Sequence, residues 1–212
     1  LPIEEGQTIS QPYIVAVMAQ AAQIGPNARV LEIGAGSGYG AAVLSRIAAE
    51  VWTIERHVVL ADEARRRLRS LGYDNVHVVC GDGTLGWPEE APFDAIVVTA
   101  GGPAVPTALW EQLAEGGRLI IPVGPETRGQ ELLRVRRVDG EPIEEDLGAV
   151  RFVPLIGEQG WDTAAAPQVA TTSSPSVVNP PSRGRVHGLA ELVRESAEPF
   201  DSIAGADLGP LL

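Results

Sequence analysis

The residue types that could do chemistry stand at three places separated by apolar runs. The first is Glu32-Ile33-Gly34-Ala35-Gly36-Ser37-Gly38-Tyr39, between an apolar run and a helical pattern. Glycines at a strand-to-helix turn allow positive φ and close approach of a ligand to the backbone. The free N–H groups opening the helix can meet an anionic group. A dinucleotide fingerprint would put its third glycine at position 39, which is Tyr39. The second place is Glu55, at the end of the next apolar run. An acid about 20 residues past such a loop can accept hydrogen bonds from both ribose hydroxyls; the alternative is a solvated Glu beside Arg56. The third is Gly81-Asp82-Gly83, where the carboxylate could meet an adenine amino group or serve as a turn aspartate. Three such strand ends in order point to a nucleoside ligand; the loop alone could be a tight turn with none.

Other reactive side chains do not gather. His57 opens a helix, His77 lies in a strand and His187 is remote. Cys80 reads as a small buried hydrophobe, and the Arg65-Arg66-Arg67 run as a solvated helix face. Trp87-Pro88 either walls the ligand pocket or packs. No spacing suggests a metal site.

These residues need a scaffold, and the apolar periodicity supplies one. Strands are expected at Ala28–Ile33, Val51–Glu55, Val76–Cys80, Ala95–Val98 and Leu119–Ile121. Helices are expected at Pro12–Gln23, Tyr39–Glu50, His57–Leu71 and Pro106–Ala114, with Gly72 stopping the third. Strands alternating with helices predict an α/β fold, a Rossmann-like doubly wound sheet of about seven mostly parallel strands. Glu131–Val138 and Val150–Leu155 read as two further strands forming an antiparallel edge, with a turn near Asp139-Gly140. Residues 1–161 form the catalytic-type domain. Residues 162–185 have the Pro, Ser, Thr and Ala composition of a flexible linker. Residues 186–212 read as a short helical tail or the start of another module.

Composition narrows the partners. The formal net charge is -12 and all 16 basic residues are Arg. With no Lys, Schiff-base and P-loop lysine chemistry are excluded. An acidic chain is repelled by phosphate backbones, so nucleic acid is not the expected partner. One Cys rules out an intrachain disulfide and fits a reducing, cytoplasmic setting. No stretch approaches the ~20 apolar residues of a membrane span. The absence of an initiator Met suggests a fragment or processed product.

The G-x-G-x-G loop preceded by an acid resembles the cofactor loop of S-adenosylmethionine methyltransferases. Further blocks resemble one family of them. Gly6-Gln7-Thr8-Ile9-Ser10-Gln11-Pro12 is similar to a signature of protein-L-isoaspartate (D-aspartate) O-methyltransferases. Val30 to Tyr39, Leu71-Gly72-Tyr73-Asp74-Asn75-Val76, Gly81-Asp82-Gly83, Gly86-Trp87-Pro88 and Pro92-Phe93-Asp94 follow in family order. So do Val98-Thr99-Ala100, Gly116-Gly117-Arg118-Leu119, Ile121-Pro122-Val123-Gly124 and Phe152-Val153-Pro154-Leu155. The resemblance covers residues 1 to about 161.

That resemblance implies a class I methyltransferase fold with S-adenosyl-L-methionine as cofactor. It implies Ser10 as the active-site serine, with Gln7 and Thr8 on the same wall. Glu32, Gly34, Ala35, Gly36, Glu55, Asp82 and Gly83 would bind the cofactor. Val153 and Pro154 would close the peptide groove. The substrate would be isoaspartyl residues of damaged proteins, repaired through a succinimide by a monomeric enzyme. The chain departs from the pattern in three ways. A family segment before Leu1 is absent, the loop after Val98-Thr99 reads Ala100-Gly101-Gly102-Pro103, and the tail has no counterpart. The tail from Leu189 to Leu208 resembles the opening of erythromycin-esterase-like domains, which implies a fusion protein. Alternative readings are an aspartyl methyltransferase of a dedicated biosynthetic peptide and a non-catalytic fused module.

Overall fold

Parallel strands need crossovers on one face or the other, and the sequence provides a helix after nearly every strand. The computed structural model describes residues 12–125 and 129–162. Gln7, Thr8, Ser10 and nearly all of the expected linker and tail therefore lie outside the described residues. The elements are α1 (Pro12–Ala22), β1 (Arg29–Ile33), α2 (Tyr39–Ser45), β2 (Glu50–Glu55), α3 (Val58–Ser70) and β3 (Val76–Cys80), followed by β4 (Phe93–Val98), α4 (Thr107–Glu111), β5 (Leu113–Val123), β6 (Gln130–Val138) and β7 (Glu141–Val150). They build one seven-stranded sheet in the order β3-β2-β1-β4-β5-β6-β7. The first five are parallel, while β6 and β7 are antiparallel to their neighbours. The class I methyltransferase fold expected from the sequence is the one observed.

Alternation along β1 sorts the core into two layers. Val30 faces a cluster with α1, α2 and α3, while Leu31 and Ile33 face one with Leu109 of α4 and Leu155. Burying each such aliphatic side chain contributes ~1.5–3 kcal/mol. The chain runs outward from β1 to β2 and β3, then returns to β4 on the other side. This reversal opens a crevice at the carboxyl ends of the strands, where open α/β sheets bind ligands.

Several expectations require correction. The edge strand after Asp139-Gly140 is β7, Glu141–Val150, not Val150–Leu155. Its first six residues are exposed and include Pro142 and four acids, so no apolar alternation marks it. That composition protects a sheet edge. Residues 151–155 instead leave the sheet and return over the strand ends. Cys80 is exposed, because β3 is the opposite edge strand. The arginine run is only partly solvated: Arg65 donates to Val78 O at 3.0 Å and Arg67 to Ser37 O at 2.6 Å. Trp87 packs against the α4-side cluster, and its backbone N–H donates to Gln112 Oε1 at 2.7 Å.

The helix expected to reach Glu50 stops at Ser45 for a visible reason. Asn75 Nδ2 donates to Ser45 O at 3.0 Å, Ala49 O at 3.1 Å and Ala48 O at 3.4 Å, capturing carbonyls that a helix end leaves free. Asn75→Ala should lower the urea-unfolding stability by about 1–3 kcal/mol, the cost of stranding partly buried acceptors. An unchanged midpoint would show that water satisfies these carbonyls equally well.

One ionisable side chain lies inside the α2 layer. Glu32 is 1% exposed and accepts from Thr53 Oγ1 at 2.6 Å. Gly40 on α2 leaves room for it, since a β-carbon there would collide with Glu32 Oε1. Burial pushes its pKa from 4.5 up to about 8; the Thr53 hydrogen bond opposes this and the charge of Glu55 adds to it. The folded state thus holds a proton that the unfolded chain releases near 4.5. The stability this contributes is full below that pH and is lost as pH rises toward about 8. Glu32→Gln, which mimics the protonated form, should flatten that slope and be the more stable protein at pH 8. Urea titrations at several pH values check this; parallel curves for both proteins would contradict it.

Candidate active site

The ladder places Ile33 beside Ile54 and Val98, so the loops leaving β1, β2 and β4 emerge together. Gly34 N donates to Ile54 O at 2.8 Å, and Thr99 N to Ile33 O at 2.9 Å. The Thr99 hydroxyl lies 2.9 Å from both Ile33 O and Gly34 O. Gly34 has φ 97°, and a β-carbon on it would collide with that hydroxyl. The position therefore requires glycine on both conformational and steric grounds. On the far side, Arg67 from α3 holds Ser37 O. The glycine loop is clamped from both flanks before any ligand arrives. Ala35, 4% exposed, turns its methyl into the α1–α3 core, leaving backbone to line the crevice.

Glu55 ends β2 beside this loop. Its Oε2 accepts from Gly36 N at 2.9 Å and its Oε1 from His57 N at 3.0 Å. Two backbone donors thus fix the carboxylate plane, while each oxygen keeps acceptor capacity. A fixed carboxylate suits a pair of vicinal hydroxyls and disfavours a phosphate at the same point. Glu32 lies beneath the loop in the core, so it can act on a ligand only through the loop.

After β3 the chain turns back across the strand ends. Gly81 passes over Ile54 and Gly83 over Ile33, where a β-carbon at Gly83 would collide with the Ile33 side chain. Asp82 Oδ1 accepts from Thr84 N at 2.9 Å and Thr84 Oγ1 at 2.7 Å, and Oδ2 accepts from Glu158 N at 2.7 Å. An adenine amino group reaching this carboxylate would share Oδ2 with Glu158. Gly81-Asp82-Gly83 and the glycine loop therefore border one crevice, as their spacing in the sequence suggested.

Residues 151–162 form a strap on the α4 side of the crevice. Gln130, 5% exposed, accepts from Phe152 N at 2.7 Å and donates to Phe152 O at 3.3 Å, like one more strand residue. Gly101 N donates to Val153 O and Leu155 N to Gly101 O, both at 2.8 Å, so Val153 and Pro154 lie beside the loop after β4. Trp161 Nε1 also donates to Gly101 O, at 3.0 Å. A side chain at Gly101 would strike Gln130. The altered Ala100-Gly101-Gly102 loop is thus the anchorage of the strap. Thr99, Arg67, Gln130 and Trp161 escaped the sequence reading because each works through a bond to a distant backbone atom. Thr99 lay inside a quoted block, but only the fold shows what its hydroxyl reaches.

The glycine loop, the fixed Glu55 carboxylate and the returning Gly81-Asp82-Gly83 loop thus meet at the carboxyl ends of β1, β2 and β3. A family model described as Protein-L-isoaspartate(D-aspartate) O-methyltransferase (PCMT) matches residues 1–160. The chain is 57% identical to a Protochlamydia amoebophila protein-L-isoaspartate O-methyltransferase, over 78% of this chain and 80% of that one. It is 62% identical to protein-L-isoaspartate O-methyltransferase 2 of Pelobacter propionicus, over 76% of this chain and 72% of that one. A solved protein-L-isoaspartate O-methyltransferase superposes with TM-score 0.70 at 37% identity, covering 74% of this chain. The chain spans about half of that solved protein, 51%. A beta-aspartate methyltransferase from Plasmodium falciparum, solved with S-adenosyl-L-homocysteine, superposes with TM-score 0.64 at 28% identity, over 74% of this chain and 79% of that one. The chain belongs to the protein-L-isoaspartate(D-aspartate) O-methyltransferase family.

Proposed function

We propose that this chain methylates the α-carboxylate of isoaspartyl residues in damaged proteins, as the first step of their repair. The observation that carries the reading is the family match over residues 1–160 together with Glu55 fixed beside the glycine loop. S-adenosyl-L-methionine supplies an electrophilic methyl group on a sulfonium. Gly34, Ala35 and Gly36 present backbone to its methionine end. Glu55 accepts the ribose hydroxyls, and Asp82 and Gly83 border the adenine. Glu32 supports the loop from below.

A substrate carboxylate is already a nucleophile at neutral pH, so no general base is required. With the cofactor bound, a substrate carboxylate oxygen would take the methyl group as the carbon–sulfur bond breaks, the electron pair staying on sulfur. The protein's contribution is positioning, and a near-attack geometry can remove ~7–11 kcal/mol of barrier. In this reading Ser10 hydrogen-bonds the carboxylate and sets its angle, with Gln7 and Thr8 on the same wall. Val153 and Pro154 close the groove from the strap side. The ester then loses methanol as the following backbone nitrogen closes a succinimide, whose hydrolysis returns some normal aspartate.

The same reading makes the protein a cytoplasmic monomer, consistent with its acidity and single Cys. In this reading residues 162–185 serve as a linker, on their Pro, Ser, Thr and Ala composition, and 186–212 as a short helical tail or the start of another module. Among the described residues, no helix is long and apolar enough to cross a membrane.

Incubation with methyl-labelled S-adenosylmethionine and matched isoaspartyl and aspartyl peptides tests the activity. Base-labile label on the isoaspartyl peptide alone is expected. No label on either, with S-adenosylhomocysteine binding intact by calorimetry, would remove the repair reading. Glu55→Ala should weaken S-adenosylhomocysteine binding about 10- to 100-fold, since hydrogen bonds to a charged group contribute ~1.5–3 kcal/mol. Unchanged binding would displace Glu55 from the ribose role.

A further inference from the structure

The strap is held in two ways, and they differ in what they connect. Phe152 is bonded to Gln130, Val153, Leu155 and Trp161 to Gly101, and Gln159 Oε1 accepts from Ala108 N at 3.0 Å. All of these partners belong to β6, α4 or the loop after β4. Among the described residues, two recorded hydrogen bonds tie the strap to the loop over Ile33 and Ile54. They are Glu158 N to Asp82 Oδ2 at 2.7 Å and Gln159 N to Thr84 Oγ1 at 3.1 Å. Thr84 is the relay, because its hydroxyl donates to Asp82 Oδ1 and accepts from Gln159. It is 0% exposed and cannot touch a ligand in the crevice. The fit is close on both sides. A β-carbon at Gly157 would collide with the Asp82 carboxylate, and one at Gly160 would come within 3.1 Å of the Thr84 methyl.

We propose that Thr84, acting with Asp82, is a positioning residue for the peptide substrate. It fastens residues 157–160, and with them the wall carrying Val153 and Pro154, to the half of the sheet that holds the cofactor. The proposal rests on the isoaspartyl methyltransferase reading for its substrate, but not for the fastening itself. Two hydrogen bonds and the close fit of Gly157 and Gly160 make this junction, so weakening the bonds leaves the strap anchored at Gly101, Gln130 and Ala108 while its far end loosens. Peptide binding then weakens more than cofactor binding does.

Thr84→Val keeps the shape and removes the two hydrogen bonds of the Thr84 hydroxyl, to Asp82 and from Gln159, while the Glu158 N–H stays on Asp82. Gln159→Ala releases the strap's side-chain anchor on Ala108 without touching the buried relay. Both full-length variants are compared with the unaltered chain for peptide KM, kcat, S-adenosylhomocysteine Kd by calorimetry, and amide exchange of residues 156–161. In Thr84→Val, peptide KM should rise about tenfold, the equivalent of one lost hydrogen bond, with cofactor-product Kd changed less than about twofold. Amide exchange across 156–161 should quicken in that variant, and Gln159→Ala should shift KM and exchange in the same direction. Unchanged exchange in Thr84→Val overturns the proposal, as does a raised Kd with an unchanged peptide KM. If the unaltered chain methylates no isoaspartyl peptide, the functional reading fails separately. Exchange in Thr84→Val then still decides whether the junction is fastened there.

Discussion

The Thr99 hydroxyl fills the space that a side chain at Gly34 would need, and the crevice depends on that exchange. It ties the end of β4 to the first turn of the glycine loop at the point where strand order reverses. With Gly34 pinned, Gly36 falls within reach of Glu55, and Glu55 in turn is aligned by His57 N. Arg67 completes the clamp from α3 at Ser37. A cofactor then meets a surface already in shape, so little ordering entropy is charged against binding.

The sheet was legible because parallel strands buried on both faces read as continuous apolar runs. Val30–Ile33 and Ala95–Val98 are such runs, and the helices between them follow helical periodicity. The edges were less legible for the complementary reason. β7 carries Pro142, Glu144, Glu145 and Asp146, which guard an open edge and erase alternation, so the edge strand was expected to start at Val150, nine residues after its actual start at Glu141. Cys80 misled in the same way at the other edge, where an apolar strand faces water on one side.

The site was legible where backbone shape carries the chemistry. Gly34, Gly36, Glu55 and Gly81-Asp82-Gly83 are recognisable because few residue types suit those turns. The supporting groups were hidden because an ordinary Thr, Arg or Gln gains its role only from what the fold brings near it. Gln130 stands more than 20 residues from Phe152, and Asp82 76 from Glu158. The Arg65-Arg66-Arg67 run shows the limit well. Spacing alone made it one solvated face, yet only Arg66 is fully outside, while Arg65 and Arg67 reach backbone carbonyls.

Two neighbouring carboxyls show how the fold divides one chemical type between two tasks. Glu32 is stripped of water with one hydroxyl partner and is driven toward its neutral form. Glu55 is given two backbone N–H donors at the crevice edge and kept as an oriented acceptor. Were Glu32 charged as well, a second negative charge would lie under the glycine loop, repelling Glu55 and the carboxylate of any amino-acid ligand above. Keeping it protonated removes that repulsion and fills the space above Gly40 with a group that still bonds Thr53. Burial thus serves the crevice electrostatically, from a residue that never needs to touch the ligand.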